Sequence, residues 1–408
     1  METKGDNPQE MWKLLRKASE YSSNNKIDAK FDPNDSMKHF QTQGDRKENT
    51  DPQHEAEICD FLSNEEKYSI NDTTTDKPFT ISDVKNVIKS LKTGKSSGPD
   101  FILNGSCPLF VKAITNLFNM IFSSGVYPTS WLSSYIVPIH KSGGPFDPNN
   151  YRDISLLNGI AKLFSVILNN RIMLHMKDKF SNVQFGFRPN MRTADSLFIF
   201  KTLINKYFNF LKKPFYSCFI DLRKAFDSVW RNGLFSKLQS SGIGSKTIKI
   251  IRGMHTDTKF SLKRTEGITD YFTINRGVHQ GDSLISTLFK IYINDMTELF
   301  MNSKCDPLSL ENSCIGSLIF ADDLLVLSES KESLSKCSLY CKEWQLTVNC
   351  NKTKTMIFGK NLKNIKNTKF SYRNTYLENV SEFKFLGNVI TQNGNLVSCA
   401  EALSKKGT

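Results

Sequence analysis

The chain has 408 residues, which is enough for two or three domains, and 39% of them are hydrophobic, so a sizeable core is expected. The formal net charge is +13. The first 60 residues hold 9 Lys and Arg against 13 Asp and Glu, which leaves 45 against 28 in the remainder. A basic body behind an acidic leader indicates a polyanionic partner, with nucleic acid the first hypothesis. No apolar run approaches the roughly 18 residues of a membrane span, so no membrane association is expected.

The nine cysteines predict reduced thiols. Their number is odd, their spacing is irregular and no CxxC pair occurs, which favours a protein of the nucleus or cytoplasm. Cys337 and Cys341 are one helical turn apart, but no nearby His completes a zinc site, so a structural role is expected for both.

In chain order, residues 1–75 are polar and predict a flexible leader with one helix near residues 8–20. A helix follows at 84–91. The basic, Gly-rich stretch 92–100 then indicates either a phosphate-binding loop or an ordinary surface loop. Periodicity predicts further helices at 108–124, 158–179, 194–211, 230–252, 288–300 and 330–345. It predicts strands at 131–140, 216–222, 355–358 and 383–387, and a hairpin over 260–274.

Two acidic positions interrupt buried strand material. Asp322 and Asp323 lie within the apolar run 319–327, and Asp221 ends the strand 216–222. Charges within a buried strand are costly unless something neutralises them. The run 319–327 therefore predicts a β-hairpin whose turn lifts both acids to a sheet edge, although an ordinary polar turn is the simpler alternative. Without regular βαβ spacing, the pattern favours an α+β fold with a mixed or antiparallel sheet.

Carboxylates from two strands that meet at one edge suit two-metal phosphoryl transfer, because Mg²⁺ prefers hard oxygen ligands. Paired carboxylates also serve glycoside hydrolysis, but that chemistry gives no reason for the basic body. Asp227 is a weaker candidate, more typical of a surface or helix-start acid. Cations for a triphosphate are also needed, and the candidates that flank turns are Lys141 and Arg152, with Lys352 and Lys354 as second choices.

These residues together resemble the reverse transcriptase region of LINE-type, non-LTR retrotransposons over roughly residues 78–390. The resemblance rests on eight motifs in the family's order, at residues 96–100, 151–157, 184–188, 219–229, 277–282, 320–323, 344–354 and 385–387. It implies a right-hand polymerase with fingers and an antiparallel palm sheet, its thumb largely missing. The domain boundaries that follow are a leader at 1–75, an N-terminal extension and fingers at 76–212, a palm with finger insertions and primer grip at 213–390, and a truncated tail at 391–408.

The resemblance also implies roles by position. Asp221 and Asp322 would be the main ligands of two Mg²⁺ (or Mn²⁺) ions, with Asp323 beside them as a further metal-binding carboxylate and the Leu222 backbone carbonyl assisting. Lys352 would protonate the leaving pyrophosphate. The dNTP would contact the six residues Lys141, Arg152, Leu222, Phe226, Gln280 and Gly281, among which Phe226 would exclude a 2′-hydroxyl. The primer grip would be Phe385, Leu386 and Gly387, and the template-side fingers residues would be Gly98, Gln184 and Arg188. The implied partners are an RNA template, a DNA primer, dNTPs and the element's own RNA.

Three departures from the family pattern weaken the expectation of activity. Ile285 stands where a small hydroxyl residue is usual, Asp153 replaces the usual Pro, and Phe101 replaces a Gly. The resemblance also leads us to expect that endonuclease and thumb regions are absent from this chain. These features leave open a catalytically impaired, truncated element copy that only binds nucleic acid. A maturase or an RNA-templated RNA polymerase is disfavoured by the bulk of Phe226.

Overall fold

The computed structural model describes residues 38–39, 50–64, 69–90, 108–140, 143–264, 267–278, 281–301, 305–330, 333–359 and 369–398. The chain divides into two compact units that interleave along the sequence: the first holds 1–46, 68–175 and 242–285, and the second holds 47–67, 176–241 and 286–408. Across the described residues, no helix is both long enough and apolar enough to cross a membrane. The predicted domain boundaries stay a prediction.

The first unit combines helices with a five-stranded sheet. Its helices are α2 (Ile81–Ser90), α3 (Pro108–Ser124), α4 (Gly159–His175) and α7 (Ser245–His255), with 3₁₀ turns at Thr129–Trp131 and Pro148–Asn150. Its strands are β1 (Ser133–His140), β2 (Tyr151–Leu156), β4 (Lys259–Arg264), β5 (Gly267–Ile268) and β6 (Phe272–Thr273). The sheet order is β2-β1-β4-β5, with β6 also pairing with β4. This arrangement confirms the predicted hairpin over 260–274.

The prediction of one helix over 230–252 was wrong. Two helices occupy this stretch, α6 (Arg231–Ser240) in the second unit and α7 in the first. The Asp76 carboxylate accepts hydrogen bonds from the backbone amides of Lys246 (3.2 Å) and Thr247 (3.0 Å) and so satisfies the first turn of α7. Such an N-terminal cap stabilises a new helix start. The capping residue, Asp76, lies 170 residues before Lys246 in the sequence, beyond the reach of local pattern analysis.

The second unit is built on a six-stranded sheet in the order β12-β13-β11-β3-β10-β9. These strands are β3 (Phe215–Asp221), β9 (Ser317–Phe320), β10 (Asp323–Ser328), β11 (Lys354–Phe358), β12 (Phe370–Tyr372) and β13 (Thr375–Asn379). The pairings are antiparallel except for β11–β13, which is parallel. The expected antiparallel sheet is therefore mixed at this one pairing, and the α+β class is confirmed.

The remaining elements of this unit surround the sheet. Its helices are α1 (Pro52–Ser63), α5 (Thr193–Ile204) continued by a π-helix (Asn205–Leu211), α6, α8 (Ile285–Ile293), α9 (Met296–Met301) and α10 (Ser333–Glu343). Small sheets are formed by β7 (Leu308–Leu310) with β8 (Ser313–Ile315), and by β14 (Glu382–Phe385), β15 (Asn388–Thr391) and β16 (Leu396–Ser398). An aromatic core joins α5, β3, β11 and β14, in which Phe215 and Phe358 stack with centroids 4.7 Å apart.

Two further expectations need correction. Part of the leader is helical: α1 begins at its N-cap Asp51, buries Ile58 and Leu62, and packs against α6. Averaged composition missed this apolar pair at helical spacing. The helix predicted over 288–300 is split between α8 and α9 at Asn294 and Asp295. The side chains of these two residues accept hydrogen bonds from the Ser181 amide and the Tyr340 hydroxyl.

Candidate active site

Strands β3 and β10 bring two carboxylates face to face. Their antiparallel register sets Asp323 directly opposite Asp221. The backbone amide of Asp221 donates to Thr353 Oγ1 (3.1 Å), and its carbonyl accepts from the amide of Asn349 (2.8 Å), so both groups point away from β10. Asp221 and Asp323 thus form a non-hydrogen-bonded pair, the closer of the two antiparallel arrangements, with Cα atoms roughly 4.5 Å apart and side chains on one face.

A two-residue turn places the third acid. Strands β9 and β10 form the predicted hairpin and pair from Phe320 to Asp323. Its loop is Ala321 and Asp322, whereas Asp323 is already the first residue of β10. Ala321 has a φ of 58°, a left-handed conformation that costs energy for a residue with a Cβ. The resemblance gave Asp322 the main metal-binding role, whereas it is Asp323 that stands opposite Asp221. The division of roles between them stays a prediction.

The three carboxylates act on one another electrostatically. Partial burial, followed by the negative charges of Asp322 and Asp221, raises the pKa of the Asp323 carboxyl to about 6. The side chain nevertheless keeps an open face toward solvent. Like charges placed directly across a strand pair destabilise a sheet. This arrangement therefore gains from a bound cation, which is the behaviour expected of a metal site.

Beside the pair lies a cavity of about 450 Å³ that mixes acidic, basic and aromatic side chains. Asp221 and Asp323 line it together with the exposed ammonium group of Lys352 and with Lys354 and Lys384. Lys354 is engaged, because it donates to the Asn351 carbonyl (2.7 Å) and to Glu378. Lys352 is thus the better placed of the two candidate lysines for contact with a substrate.

The predicted primer-grip residues form the turn of a second hairpin at this cavity. Strand β14 ends at Phe385 and β15 returns from Asn388, so the single closing strand predicted over 383–387 was wrong. Leu386 (φ 47°) and Gly387 (φ 82°) both have positive φ, as in the type I′ turns that favour two-residue hairpins. Phe385 is 3% exposed and packs on Phe219, so its side chain anchors the hairpin from inside.

The carbonyl of Leu222 is directed toward the acidic turn by strand geometry. Leu222 forms an isolated antiparallel bridge with Val348. The hydrogen bonds of this bridge are made by the neighbouring residues: the Arg223 amide donates to the Thr347 carbonyl, and the Asn349 amide donates to the Asp221 carbonyl. In this type of bridge the paired residue's own amide and carbonyl point the opposite way. The side chain of Leu222 is buried, so the expected contribution through the backbone is compatible with its position.

The fingers signature 184–188 packs beneath the turn. Gln184 is 1% exposed and donates to the Lys290 carbonyl (3.1 Å), and the neighbouring amide of Phe185 donates to Ile319 (2.8 Å). Arg188 donates to the carbonyls of Ser181 (2.7 Å) and Gln184 (3.3 Å). Gln184 thus donates its side-chain amide hydrogen to α8, and its role on the template side stays a prediction.

Gly186 supports the acidic turn, although it was not among the predicted site residues. A Cβ atom at this position would lie 2.1 Å from the backbone nitrogen of Ala321 and 2.9 Å from its Cα. The two backbones are therefore in direct contact, and only glycine permits this approach. The signal was present, since Gly186 stands at the centre of the quoted motif between Gln184 and Arg188.

Of the other residues expected to contact the dNTP, Phe226, Gly281 and Arg152 lie in the described part of the chain. Phe226 is half-buried and packs on Phe289 with ring centroids 4.8 Å apart. Gly281 (φ 121°) approaches the Ser155 carbonyl so closely that a Cβ atom would lie 2.3 Å from it. Arg152 lies in β2 opposite Ile139. Outside the described residues lie Gly98, Lys141 and Gln280.

The positions of the acidic side chains show how well they could hold a divalent cation. Among the residues that the structure describes, no group of three or more His, Cys, Asp and Glu side chains converges closely enough to hold a metal ion. The convergence of all three carboxylates thus stays a prediction. The opposed pair Asp221 and Asp323 does suit a hard divalent cation, because its oxygen donors repel each other and leave room for water and phosphate ligands.

Comparison with known proteins defines the class. Residues 139–390 match the family described as reverse transcriptase (RNA-dependent DNA polymerase), and this match spans more than half of the chain. The chain belongs to this family. The residues that build the acidic site lie within the matched range.

The curated relatives are polymerases of non-LTR retrotransposons. One is a probable RNA-directed DNA polymerase from transposon BS of Drosophila melanogaster, 28% identical over 328 residues. Another is the RNA-directed DNA polymerase from mobile element jockey of Drosophila funebris, 26% identical over 332 residues. A third is a Pol polyprotein from a type-1 R2 element of Nasonia vitripennis, 28% identical over 258 residues. The matches cover 76%, 77% and 63% of this chain but 35%, 35% and 24% of the relatives, so this chain spans about a third or less of their length.

Solved structures give a looser similarity. The apo telomerase of Candida tropicalis truncated from its C-terminal domain aligns with a TM-score of 0.47 at 15% identity, covering 71% of this chain and 60% of that one. The same organism's telomerase in complex with a fragment of telomeric RNA aligns with a TM-score of 0.46 at 14% identity, covering 72% and 49%.

Proposed function

We propose that this chain is the polymerase region of a non-LTR retrotransposon protein and that it copies RNA into DNA. Residues 76–212 would then form the N-terminal extension and fingers, and residues 213–390 the palm. The observation that carries the proposal is the register that sets Asp323 opposite Asp221 in a chain of the reverse transcriptase family. The proposed partners are an RNA template, a DNA primer and dNTPs.

The reaction is a nucleotidyl transfer. The 3′-oxygen of the primer attacks the α-phosphorus of the dNTP, a new phosphodiester bond forms, and the bond to the β-phosphate breaks to release pyrophosphate. Asp221, Asp322 and Asp323, with the Leu222 carbonyl, would hold two Mg²⁺ or Mn²⁺ ions. When bound, such ions neutralise phosphate charge and make the primer hydroxyl more acidic.

The other side chains position the substrates. The ammonium group of Lys352, at the same cavity as the acidic pair, would give a proton to the departing pyrophosphate. Phe226, held by Phe289, would occupy the space beside the sugar and exclude a 2′-hydroxyl. Lys141 and Arg152 would bind the triphosphate, and the Leu386–Gly387 turn would contact the primer backbone. Positioning of this kind supplies much of the rate in phosphoryl transfer.

Of the three departures from the family pattern, one can be followed in the structure. Ile285 is the first residue of α8 and is 6% exposed, so the fold accommodates its bulk at the start of the helix. The proposal therefore retains catalysis for this chain.

The decisive experiment is primer extension on an RNA template with dNTPs and Mg²⁺. We expect incorporation by the wild-type chain and its loss in Asp221→Asn and Asp322→Ala. Asp60→Asn, which changes an exposed acid on α1, serves as the matched control and should extend like the wild type. Equal dNTP incorporation by the wild type and Asp322→Ala would refute the proposed polymerase activity. Salt-sensitive RNA binding without any incorporation would support the binding-only alternative.

A further inference from the structure

Lys290 is a charged side chain in the interior that the proposed reaction does not use. It lies on α8 and is 1% exposed, which makes it one of the most completely buried large side chains in the described part of the chain. Its Nζ is 4.7 Å from the centre of the Phe180 ring. Burial, followed by the nearby charge of Arg188, lowers its pKa to about 8. A buried ammonium group is costly and persists only where its hydrogen bonds are required.

The ammonium group of Lys290 is bonded to the fingers signature. Its Nζ donates to the backbone carbonyl of Phe187 at 2.8 Å. Phe187 has a φ of 56°, a strained conformation for an aromatic residue, so the bond stabilises a backbone that would otherwise relax. The backbone carbonyl of Lys290 accepts from Gln184 (3.1 Å), so α8 holds this short segment at two points.

The segment in turn abuts the acidic turn. Gly186 lies between the two residues that α8 holds, and its Cα meets the backbone of Ala321 with no space for a Cβ atom. The amide of Phe185 donates to Ile319 (2.8 Å), and the amide of Ile319 donates to Val183 (2.9 Å), which joins the segment to β9. A continuous set of contacts thus runs from Lys290 through Phe187 and Gly186 to the residue before Asp322.

We propose that Lys290 is a positioning residue. By holding the Phe185–Phe187 backbone against Ala321, it fixes the Ala321–Asp322 turn and, with it, Asp323 at the start of β10. The inference rests on the proposed function for its kinetic consequence, but not for its structural one. A displacement of a reacting group by about 1 Å can cost on the order of 100-fold in rate, so a small shift of this turn has a measurable effect.

The test uses Lys290→Met, which keeps most of the side-chain volume and removes the ammonium group. Lys237→Met is the matched control: Lys237 is also buried, its pKa is likewise lowered to about 8, and it bonds to Asp295 and Tyr340 instead of the fingers signature. Hydrogen–deuterium exchange is measured on peptides covering residues 318–325, with residues 385–390 as an internal reference. The kcat and the dNTP KM of primer extension are measured in parallel at steady state.

We expect Lys290→Met to raise exchange over residues 318–325 several-fold and to lower kcat roughly 10- to 100-fold with the dNTP KM changed less than about threefold. Lys237→Met should leave exchange at that turn and kcat near the wild-type values. Wild-type exchange and kcat in Lys290→Met would overturn the inference, as would equal effects of the two variants. If Lys290→Met does not fold, Gly186→Ala tests the other end of the contact, and an unchanged turn in that variant refutes the inference.

The exchange measurement separates this inference from the proposed function. A wild-type chain that incorporates no dNTP refutes the polymerase, yet loosening of residues 318–325 in Lys290→Met alone still supports the positioning role. An active wild type with an unaffected Lys290→Met keeps the polymerase and refutes the positioning role.

Discussion

Two hairpins contribute strand residues to the same cavity, and the protein supports their turns differently. Ala321–Asp322 is pressed against the backbone of Gly186, with no room for one additional carbon atom. At Leu386–Gly387, in contrast, a Cβ atom on Gly387 would meet nothing within 4 Å. The backbone of Gly186 fixes the position of the first turn. The second turn is anchored by side chains: Phe383 and Phe385 pack on Phe219, and Leu386 packs against the same hydrophobic core. Under the proposed function, this difference is expected, because metal-binding groups require fixed positions and a turn that contacts a moving primer does not.

The largest difference between the turns should appear on removal of a single charge. Asp221→Asn takes away the carboxylate opposite the first turn and should lower primer extension roughly 10³-fold, because metal-held charge stabilisation contributes several kcal/mol. Lys384→Met, beside the second turn, should lower extension less than about tenfold, mainly through primer KM. Steady-state kinetics on one RNA template measures both variants. Comparable losses in kcat would mean that both turns take part in the chemistry.

A matched pair of glycine substitutions tests support directly. Gly186→Ala forces a carbon atom into the backbone of Ala321 and should lower the free energy of unfolding by about 2–3 kcal/mol. Gly387→Ala places an L-residue at a φ of 82° but in open space, so a loss of about 1 kcal/mol is expected. Urea denaturation measures both. A larger loss for Gly387→Ala would reverse the assignment of the supported turn.

Lys290, which supports the first turn through Phe187, should make the free energy of unfolding depend on pH. The pKa of Lys290 is about 8 in the folded chain against an ordinary value of 10.5, so between these pH values the unfolded state binds more protons. Stability therefore rises with pH in this window. We expect the unfolding free energy of the wild type to rise by roughly 1–2 kcal/mol relative to Lys290→Met between pH 8 and pH 10. A difference that is constant with pH would show that Lys290 is not held as a buried ammonium group.

The smallest effect concerns repulsion within the first turn. Without divalent cations, Asp323→Asn should be more stable than the wild type by about 1 kcal/mol, a modest value because solvent screens a partly exposed carboxylate. Added Mg²⁺ should stabilise the wild type and not the variant. Thermal unfolding with and without Mg²⁺ measures both. A variant less stable than the wild type in the absence of metal would show that the carboxylates do not repel one another.

The sequence predicted the acidic hairpin well because its signals are local. A charged pair within an apolar run predicted the turn at Asp322, and the strand ending at Asp221 was recognisable in the same way. The same reasoning applied to the apolar helix around Lys290 would have found its buried charge. What local patterns did not contain were the close approach of Gly186 to Ala321 and the capping of α7 by Asp76, because each depends on residues more than 100 positions apart. The split of the helix predicted over 288–300 also involves non-local partners, because Asn294 bonds to Ser181 and Asp295 to Tyr340, which are 113 and 45 positions away.

The interleaving of the two units has a consequence for biosynthesis. Residues 242–285 complete the first unit, and the amides of α7 in this stretch bond to Asp76, which leaves the ribosome much earlier. The first unit therefore cannot finish folding until translation has passed residue 285. By then residues 176–241 of the second unit have already been synthesised and wait, unfolded, for the rest of their unit. A cut after residue 212, however natural it looks on the sequence, would leave both halves without part of their own interior.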